Sequence, residues 1–296
     1  MKTLRLFEST RGSCHIGLAF GLILMFSLPL VSDATLPRRS TLVVALPSAK
    51  GLVICADKRS HDALRGVQDN DTKITPIGKR ALFVSTGAPI LLRKSDLSVA
   101  FSADAVVKRF FERHNFIVSD DQWPDLARSL AGAFDAYLAS KKFEDWPPAA
   151  SDPLFQVPIF YLDAENRIRL VVFKLSYMRI PPPDTTVRLE QYPENHFKAL
   201  NPFAFGDVAV LDELTSGADP RFDHIRRDPA FRRYIRSSVP VSHVSVRHAV
   251  EFASGQIRLT NELTPLIPGA TGHVSRNCDC AILAHRTGFR WIWRDR

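Results

Sequence analysis

Hydrophobic and polar positions after residue 40 first follow a strand-like pattern. Two short apolar runs, Thr41–Pro47 and Leu52–Asp57, are separated by a turn. Two further runs, Lys73–Ile77 and Ala81–Ser85, flank Gly78. Short runs rich in β-branched residues and bounded by turn residues predict strands. This part of the chain is therefore expected to begin with two consecutive hairpins.

Helical periodicity follows the hairpins. Apolar residues recur at helical spacing in Ala103–His114 and in Leu126–Lys142. A stretch rich in tryptophan and proline, Asp145–Pro153, then breaks the pattern. Two more apolar runs, Phe155–Leu162 and Ile168–Leu175, predict another hairpin across the polar residues between them.

The last third of the chain predicts a long helix and a closing hairpin. The hairpin combines Cys280–Ala284 with Phe289–Trp293. The order of strands, helices, strands, helices and strands favours an α+β fold with layered packing over alternating βαβ units. The apolar stripe of the late helix is Val246, Val250, Ala253 and Ile257.

The first 34 residues have the layout of a secretory signal peptide. Basic residues precede an apolar run at 17–31, and the small residues Ser32 and Ala34 follow it. The run is shorter than the ~20 residues that span a bilayer, although an uncleaved membrane anchor is the alternative. We therefore predict a signal peptide at 1–34 and an exported protein, periplasmic or secreted. No other segment is apolar enough to predict a membrane span.

Composition indicates a globular protein and argues against nucleic-acid binding. The 296 residues are 45% hydrophobic, which suits one large domain. The net charge of +8 favours anionic surfaces without naming a partner. Its densest basic stretch, Arg221–Arg236, alternates with acidic and apolar residues and predicts the solvated side of one amphipathic helix. No zinc-finger, RNA-binding or helix-turn-helix motif accompanies it.

Four cysteines leave the disulfide question open. Cys14 would leave with the signal peptide, and the other three are Cys55, Cys278 and Cys280. An odd number does not form a disulfide framework, so ordinary core cysteines are favoured. One bridge from Cys55 to Cys278 or Cys280 is the alternative in an oxidising compartment. In a strand, the last two side chains would share a face.

Candidate chemistry lies at the ends of the first predicted strands. Thr41 stands at the head of the first strand, and Asp57 ends the second. Lys73 begins the third strand, and Gly87 follows the fourth. Each residue alone has a simple structural explanation, because threonine favours strands and aspartate favours turns.

Together the four residues resemble a known pattern. The segment Thr41–Pro89 is similar to the start of a proteasome β subunit, or of its bacterial two-component protease relative, in which threonine, aspartate, lysine and glycine follow at these separations. The resemblance implies an N-terminal-nucleophile hydrolase of the proteasome β-subunit type with a four-layer αββα sandwich. It also implies a peptide or small amide substrate and a ring-shaped homo-oligomer, which the proline clusters near Trp146 and Ile180 could obstruct.

The implied mechanism requires a cut before Thr41. A threonine hydroxyl is a weak nucleophile unless a base removes its proton. A freed α-amino group has a pKa of about 7.7–8.0 and would lie beside the hydroxyl of the same residue. Residues 35–40 are therefore predicted to be a short propeptide, released at the Ser40–Thr41 bond. Residues 41–296 are predicted to form one domain.

The resemblance also implies the supporting roles. Lys73 would favour deprotonation of Thr41, and Asp57 would hold that lysine charged. The backbone N–H of Gly87 would donate to the developing oxyanion. Two later features depart from the family pattern: Pro268–Gly272 lacks the family's carboxylate, and Phe205–Asp207 carries aspartate in place of a serine.

The sequence therefore predicts an exported threonine-nucleophile amide hydrolase, most simply a peptidase. No cofactor or metal site is expected, since the nine histidines are scattered. One alternative is an amidase that acts on small acyl amides. Another is a non-catalytic subunit or binding module in which Thr41 is never freed.

Overall fold

The computed structural model describes residues 41–62, 66–92, 99–116, 119–147, 153–192, 202–216, 219–235, 240–266 and 274–294. The predicted signal peptide (1–34), the predicted propeptide (35–40) and Pro268–Gly272 lie outside the described residues. Within the described part, no helix is both long enough and apolar enough to cross a bilayer.

Strands and helices alternate in blocks along the chain. The strands are β1 Leu42–Ser48, β2 Gly51–Asp57, β3 Ser60–Asp62, β4 Gly66–Gln68, β5 Ile74–Ile77, β6 Ala81–Val84, β7 Thr86–Gly87, β8 Ile90–Leu92, β9 Val99–Ser102, β10 Phe155–Leu162, β11 Ile168–Met178, β12 Asp184–Tyr192, β13 Phe203–Gly206, β14 Cys278–Ala284 and β15 Gly288–Trp293. The α-helices are α1 Ala103–Arg113, α2 Trp123–Ala139, α3 Ala209–Ser216, α4 Asp223–Arg227, α5 Pro229–Ile235 and α6 Val246–Leu263.

Two antiparallel sheets organise the molecule. The first sheet has the strand order β13-β1-β2-β14-β15. The second has the order β12-β11-β10-β6-β5, and β7 also pairs with β10. The predicted α+β fold is confirmed to the level of a mixed α/β fold with antiparallel sheets. The two predicted hairpins, β1–β2 and β5–β6, both form but belong to different sheets.

Strand alternation divides the core into three principal clusters. On the first sheet, Val43 and Ile54 belong to an inter-sheet cluster with Leu82 and Phe160 of the second sheet. The alternate residues of the first sheet form the α6 cluster with that helix. The other face of the second sheet packs against α1 and α2. Because each sheet is buried on both faces, its central strands are apolar throughout.

The α2 helix begins earlier than the periodicity predicted. Trp123 is fully buried, and Pro124 occupies the first turn, where a missing N–H costs nothing. The helix ends at Ala139, three residues before the predicted end at Lys142. The late helix is confirmed as α6, with Ala249, Ala253 and Ile257 fully buried.

The prediction of one amphipathic helix across Arg221–Arg236 is wrong. The chain instead forms a 3-10 turn at Pro220–Phe222, followed by α4 and α5. Asp228 separates the two helices with an extended backbone, at ψ 119°. The break arises because Pro229 has no N–H and restricts the residue before it.

Strand β12 was missed by the sequence pattern. Its residues alternate between exposed and half-buried positions and include charged side chains at Asp184, Arg188 and Glu190. It is an edge strand whose only ladder partner among the described strands is β11. Val187 and Leu189 provide its apolar contacts against the cluster of α1 and α2. Two alternating apolar residues form too weak a two-residue pattern to predict a strand from the sequence.

The expectation of ordinary core cysteines is also wrong for two of the three. Cys55 and Cys280 lie directly opposite each other on β2 and β14 and form a disulfide across 225 residues of sequence. Cys278 stays outside this bridge and is buried in the α6 cluster. Cys278 and Cys280 share a sheet face, as strand alternation requires.

Candidate active site

Thr41 lies immediately before β1 and is almost completely buried. Only 1% of the residue is exposed. Its carbonyl oxygen accepts a hydrogen bond of 2.9 Å from the Asp207 N–H, which continues the β1–β13 ladder by one residue. Its hydroxyl oxygen Oγ1 is buried and has no hydrogen-bond partner among the described residues. Burying a hydroxyl without a hydrogen-bond partner costs stability.

The Asp57 carboxylate is held at the end of β2 by four donors. Oδ1 accepts from the Leu42 N–H at 2.8 Å and from Lys73 Nζ at 2.9 Å. Oδ2 accepts from the backbone N–H groups of Arg59 and Ser275 at 2.9 and 3.1 Å. The carboxylate therefore ties the first residue of β1, the end of β2 and the segment that precedes β14 to the same lysine.

The Asp57–Lys73 ion pair is shielded from solvent. The two side chains are 0% and 5% exposed. Burial raises the pKa of the Asp57 carboxyl above its ordinary value of 3.8, while the Lys73 ammonium and the backbone donors Ser275 and Leu42 oppose that increase. Asp57 Oδ1 thus contacts both the Lys73 ammonium and the N–H of the Thr41–Leu42 peptide bond.

Gly206 allows β13 to approach Thr41 closely. Its φ is +92°, and a Cβ at this position would lie 1.6 Å from the Thr41 carbonyl oxygen. The same Cβ would lie 3.4 Å from Thr86 Cβ, so β7 of the second sheet also reaches this point. Only glycine combines this φ with this contact at low cost.

Gly87 is the fourth predicted residue, and it follows Thr86 directly on β7. It pairs with Phe155 and has a φ of +81°. A Cβ here would lie 2.5 Å from the Leu154 carbonyl oxygen. Glycine is therefore required by the close approach of the backbone, and its donation to an oxyanion stays a prediction.

A second, more exposed ion pair lies beside the first. Arg59 donates from Nε and Nη2 to the two carboxylate oxygens of Asp69, at 2.7 and 2.9 Å. The hydrogen bond from Arg59 holds the pKa of Asp69 below its ordinary value. Since the Arg59 N–H also donates to Asp57, this pair fixes the backbone next to the buried carboxylate.

The fold thus brings together three of the four predicted residues, Thr41, Asp57 and Lys73, and brings the segment containing Gly87 close to them. Sequence reasoning missed Ser275, whose backbone N–H donates to Asp57, because a backbone donor is not marked by residue type. It also missed the buried pair of Lys58 and Asp279 at the same end of β2, although a lysine at the end of an apolar strand was visible. Of the segment Phe205–Asp207, Gly206 and Asp207 both lie against the Thr41 carbonyl. No group of three potential metal ligands occurs in the described ranges.

Comparison with known proteins gives a fold likeness at low identity. No family model matches the chain, and no curated protein matches it. Among solved structures, the Anbu protein from Hyphomicrobium sp. strain MC1 is similar, with 14% identity and a TM-score of 0.45 over 86% of this chain and 88% of that one. A Gly-1 mutant of the same protein gives 15% identity and a TM-score of 0.44 over 86% of each chain.

These findings correct the family assignment made from Thr41–Pro89. The identification as a proteasome β-subunit type of hydrolase is wrong: no family model supports it, and the similar structures named above are Anbu proteins. Four residue types at matching separations fit several related arrangements, so they could not define the family.

Proposed function

We propose that this protein is an exported amide hydrolase whose nucleophile is the hydroxyl of Thr41, activated by cleavage of the Ser40–Thr41 bond. The observation that carries the proposal is the double use of Asp57 Oδ1. This one atom accepts from Leu42, the residue after the nucleophile, and from the ammonium of Lys73.

The α-amine freed by that cleavage would be the general base. A neutral amine on Thr41 lies within reach of the hydroxyl of the same residue and has a pKa close to neutral pH. Thr41 Oγ1 is already desolvated and makes no hydrogen bond with the described residues, so it does not have to give up a protein partner before attack. Both features suit a nucleophile that acts in a closed site.

Lys73 would stabilise the alkoxide that forms on Thr41. Its ammonium is buried and paired, so its field is weakly screened by water. Asp57 keeps the lysine charged and fixes its position. The N–H of Gly87 would donate to the oxyanion of the tetrahedral intermediate, and such a donor contributes about 3 kcal/mol to the transition state.

We also propose that the chain forms a four-layer αββα sandwich. The three principal clusters support this arrangement, since one lies between the sheets and one lies between each sheet and its helices. Thr41 would then lie at the end of β1, between the two sheets.

Export, substrate and assembly complete the proposal. The buried Cys55–Cys280 disulfide supports folding in an oxidising compartment outside the cytoplasm. Without ATP outside the cell, small or unfolded peptides are the favoured substrates, with small amides as the second class. We place the protein as periplasmic or secreted and expect a homo-oligomer.

The first test is the mature N-terminus of the full-length chain, made in an exporting host. We expect intact mass and N-terminal sequencing to place it at Thr41. A β-lactone probe should then add one acyl group to the Thr41 hydroxyl. Thr41→Ala should prevent both the cut and the labelling. A mature terminus at any other residue, or acylation elsewhere in the wild type, would overturn the proposal and favour the binding-module alternative.

A further inference from the structure

We propose that Asp69 is a positioning residue for the buried Asp57 carboxylate. Its side chain holds the two residues, Arg59 and Ser275, whose backbone N–H groups donate to Asp57 Oδ2. The role rests on the proposed function, because Asp57 in turn holds the lysine that would stabilise the Thr41 alkoxide.

The two carboxylate oxygens of Asp57 have different partners. Oδ1 accepts from the Leu42 N–H and from the Lys73 ammonium, at 2.8 and 2.9 Å. Oδ2 accepts from the N–H groups of Arg59 and Ser275, at 2.9 and 3.1 Å. A carboxylate is planar and rigid, so the donors to Oδ2 also determine where Oδ1 points. The position of the lysine therefore depends on two backbone N–H groups.

The Arg59 donor is restrained by a two-bond ion pair. Arg59 Nε donates to Asp69 Oδ1 at 2.7 Å, and Nη2 donates to Asp69 Oδ2 at 2.9 Å. Two parallel bonds between a guanidinium and a carboxylate fix an orientation, which a single ion-pair contact does not. The pair therefore restrains the residue from which the backbone N–H reaches Asp57.

The Ser275 donor is restrained by the same carboxylate. The Ser275 hydroxyl donates to Asp69, and Ser275 Oγ accepts the Asn277 N–H at 3.1 Å. The serine is 2% exposed. It lies 218 residues from Asp57 in sequence, so local chain geometry cannot place it there. One side chain, that of Asp69, thus joins both donors of Asp57 Oδ2.

Asp69 is ionised in this arrangement. The hydrogen bond from Arg59 lowers the pKa of Asp69 most, burial opposes the decrease, and the Ser275 hydroxyl and the Lys73 ammonium add to it. An ionised carboxylate has only acceptor sites, which suits simultaneous hydrogen bonds from Arg59 and Ser275.

A role in stability alone is the alternative. The Arg59 and Asp69 side chains are 21% and 42% exposed, and a partly exposed ion pair contributes only about 0–1 kcal/mol. Loss of Asp69 has a second consequence, because it releases both restraints on the donors to Asp57 Oδ2 while the N–H groups stay in the chain. We therefore expect the reaction rate to change more than the stability.

The test measures acylation of Thr41 by a β-lactone in full-length, matured protein over a range of probe concentrations. Asp69→Asn should lower the maximal acylation rate by about 10–100-fold, the size found when outer hydrogen-bond partners of metal ligands are removed. The probe concentration that gives half the maximal rate should stay unchanged, because Asp69 positions Asp57 and does not bind the probe. Asp69→Glu keeps the carboxylate and should recover part of the rate.

A double variant tests whether Ser275 acts through Asp69. Ser275→Ala keeps the backbone N–H that donates to Asp57 and removes the hydroxyl that donates to Asp69. In the wild type it should slow acylation, but less than Asp69→Asn does. In the Asp69→Asn background it should have little further effect, because residues in one network are not additive. An equal effect in both backgrounds would overturn the proposal.

Unfolding by guanidinium, measured on the same variants, separates positioning from stability. If Asp69→Asn lowers the free energy of unfolding but leaves the maximal rate of the folded protein unchanged, the positioning role is wrong. If Asp69→Asn does not fold, Ser275→Ala still has to slow acylation. Glu251→Gln is the control, since it removes the same charge from an exposed pair on α6, where Arg247 Nε lies 2.9 Å from Glu251 Oε1. It should keep the wild-type rate.

The wild type distinguishes failure of this inference from failure of the proposed function. Wild-type protein that matures and is acylated, together with an Asp69→Asn variant of equal rate, defeats the positioning role alone. An uncut Ser40–Thr41 bond in the wild type defeats the proposed function and this role with it. A folded Asp69→Asn variant that stays uncut while the wild type matures would support the role, because the cut itself is expected to need the Thr41 hydroxyl.

Discussion

Lys73 Nζ lies 2.9 Å from Asp57 Oδ1, the same oxygen atom that accepts the backbone N–H of Leu42. This relationship connects the lysine immediately before β5 of the second sheet to the first residue of β1 in the first sheet. It makes the charge at the site depend on how the two sheets pack.

Removing Lys73 should destabilise the fold and also inactivate the candidate active site. Lys73→Met leaves the fully buried Asp57 carboxylate without its cation, and we expect the free energy of unfolding to fall by about 3 kcal/mol. Chemical denaturation with guanidinium provides the measurement. Lys73→Arg, which keeps the charge, is the matched control and should lose less. Equal stability of wild type and Lys73→Met would show that Asp57 does not need the cation.

Thr41 should show the opposite relation between stability and activity. Thr41→Val replaces the hydroxyl with a methyl group of similar shape. Because Oγ1 is buried without a partner among the described residues, we expect the free energy of unfolding to stay equal or to rise by up to about 1 kcal/mol. β-Lactone labelling should disappear. A clear loss of stability would mean that the hydroxyl makes a hydrogen bond with a residue outside the described ranges.

Gly206 should tolerate no side chain, in contrast to a helical glycine. In Gly206→Ala, the new Cβ would meet the Thr41 carbonyl at 1.6 Å, so β1 or β13 must shift. We expect a loss of about 2–4 kcal/mol in stability, together with loss of labelling.

Gly132 in α2 is the matched control, because a Cβ there has no neighbour within 4 Å among the residues that the structure describes. Gly132→Ala should be neutral or stabilising by up to about 1 kcal/mol, since alanine favours helices. Thermal unfolding of both variants distinguishes the two positions. Similar Tm values for the two variants would contradict the close contact at Gly206.

The disulfide should link Cys55 to Cys280 and leave the thiol of Cys278 in place. Peptide mapping of non-reduced, exported protein should recover the Cys55–Cys280 pair, and Cys278 should react with alkylating reagents only after unfolding, because it is 1% exposed. Replacing both bridged cysteines by alanine should cost about 2–5 kcal/mol. Cys278→Ser is the control and should keep the bridge. Recovery of a Cys55–Cys278 bridge would contradict the strand register.

Asp69 should contribute to acid sensitivity near the site. Its pKa is lower in the native state than the ordinary value of 3.8, because of its hydrogen bond from Arg59. Its stabilising contribution is therefore present above the ordinary value and lost as pH falls through the native value. The difference in unfolding free energy between wild type and Asp69→Asn should shrink across that acidic range. A difference that stays constant with pH would mean that the Arg59 pair does not act through charge.

The sequence alone determined the elements whose signal is local. Apolar runs bounded by turn residues located β1, β2, β5, β6, β10 and β14 to within a few residues, and helical periodicity located α1, α2 and α6. Burial on both faces made the central strands continuous apolar runs, which are easy to recognise. The sequence also identified Thr41, Asp57 and Lys73 as candidate site residues by residue type and separation, although the same spacing led to the wrong family.

Tertiary structure decided everything that depends on pairing distant residues. The bond between Cys55 and Cys280 spans 225 residues, and neither cysteine carries a local signal for it. The approach of Gly206 to Thr41 and the pairing of Lys58 with Asp279 follow from strand register, which depends on packing across the two sheets. A sequence pattern reports which side chains each segment must bury, but only the folded sheets decide which buried groups meet.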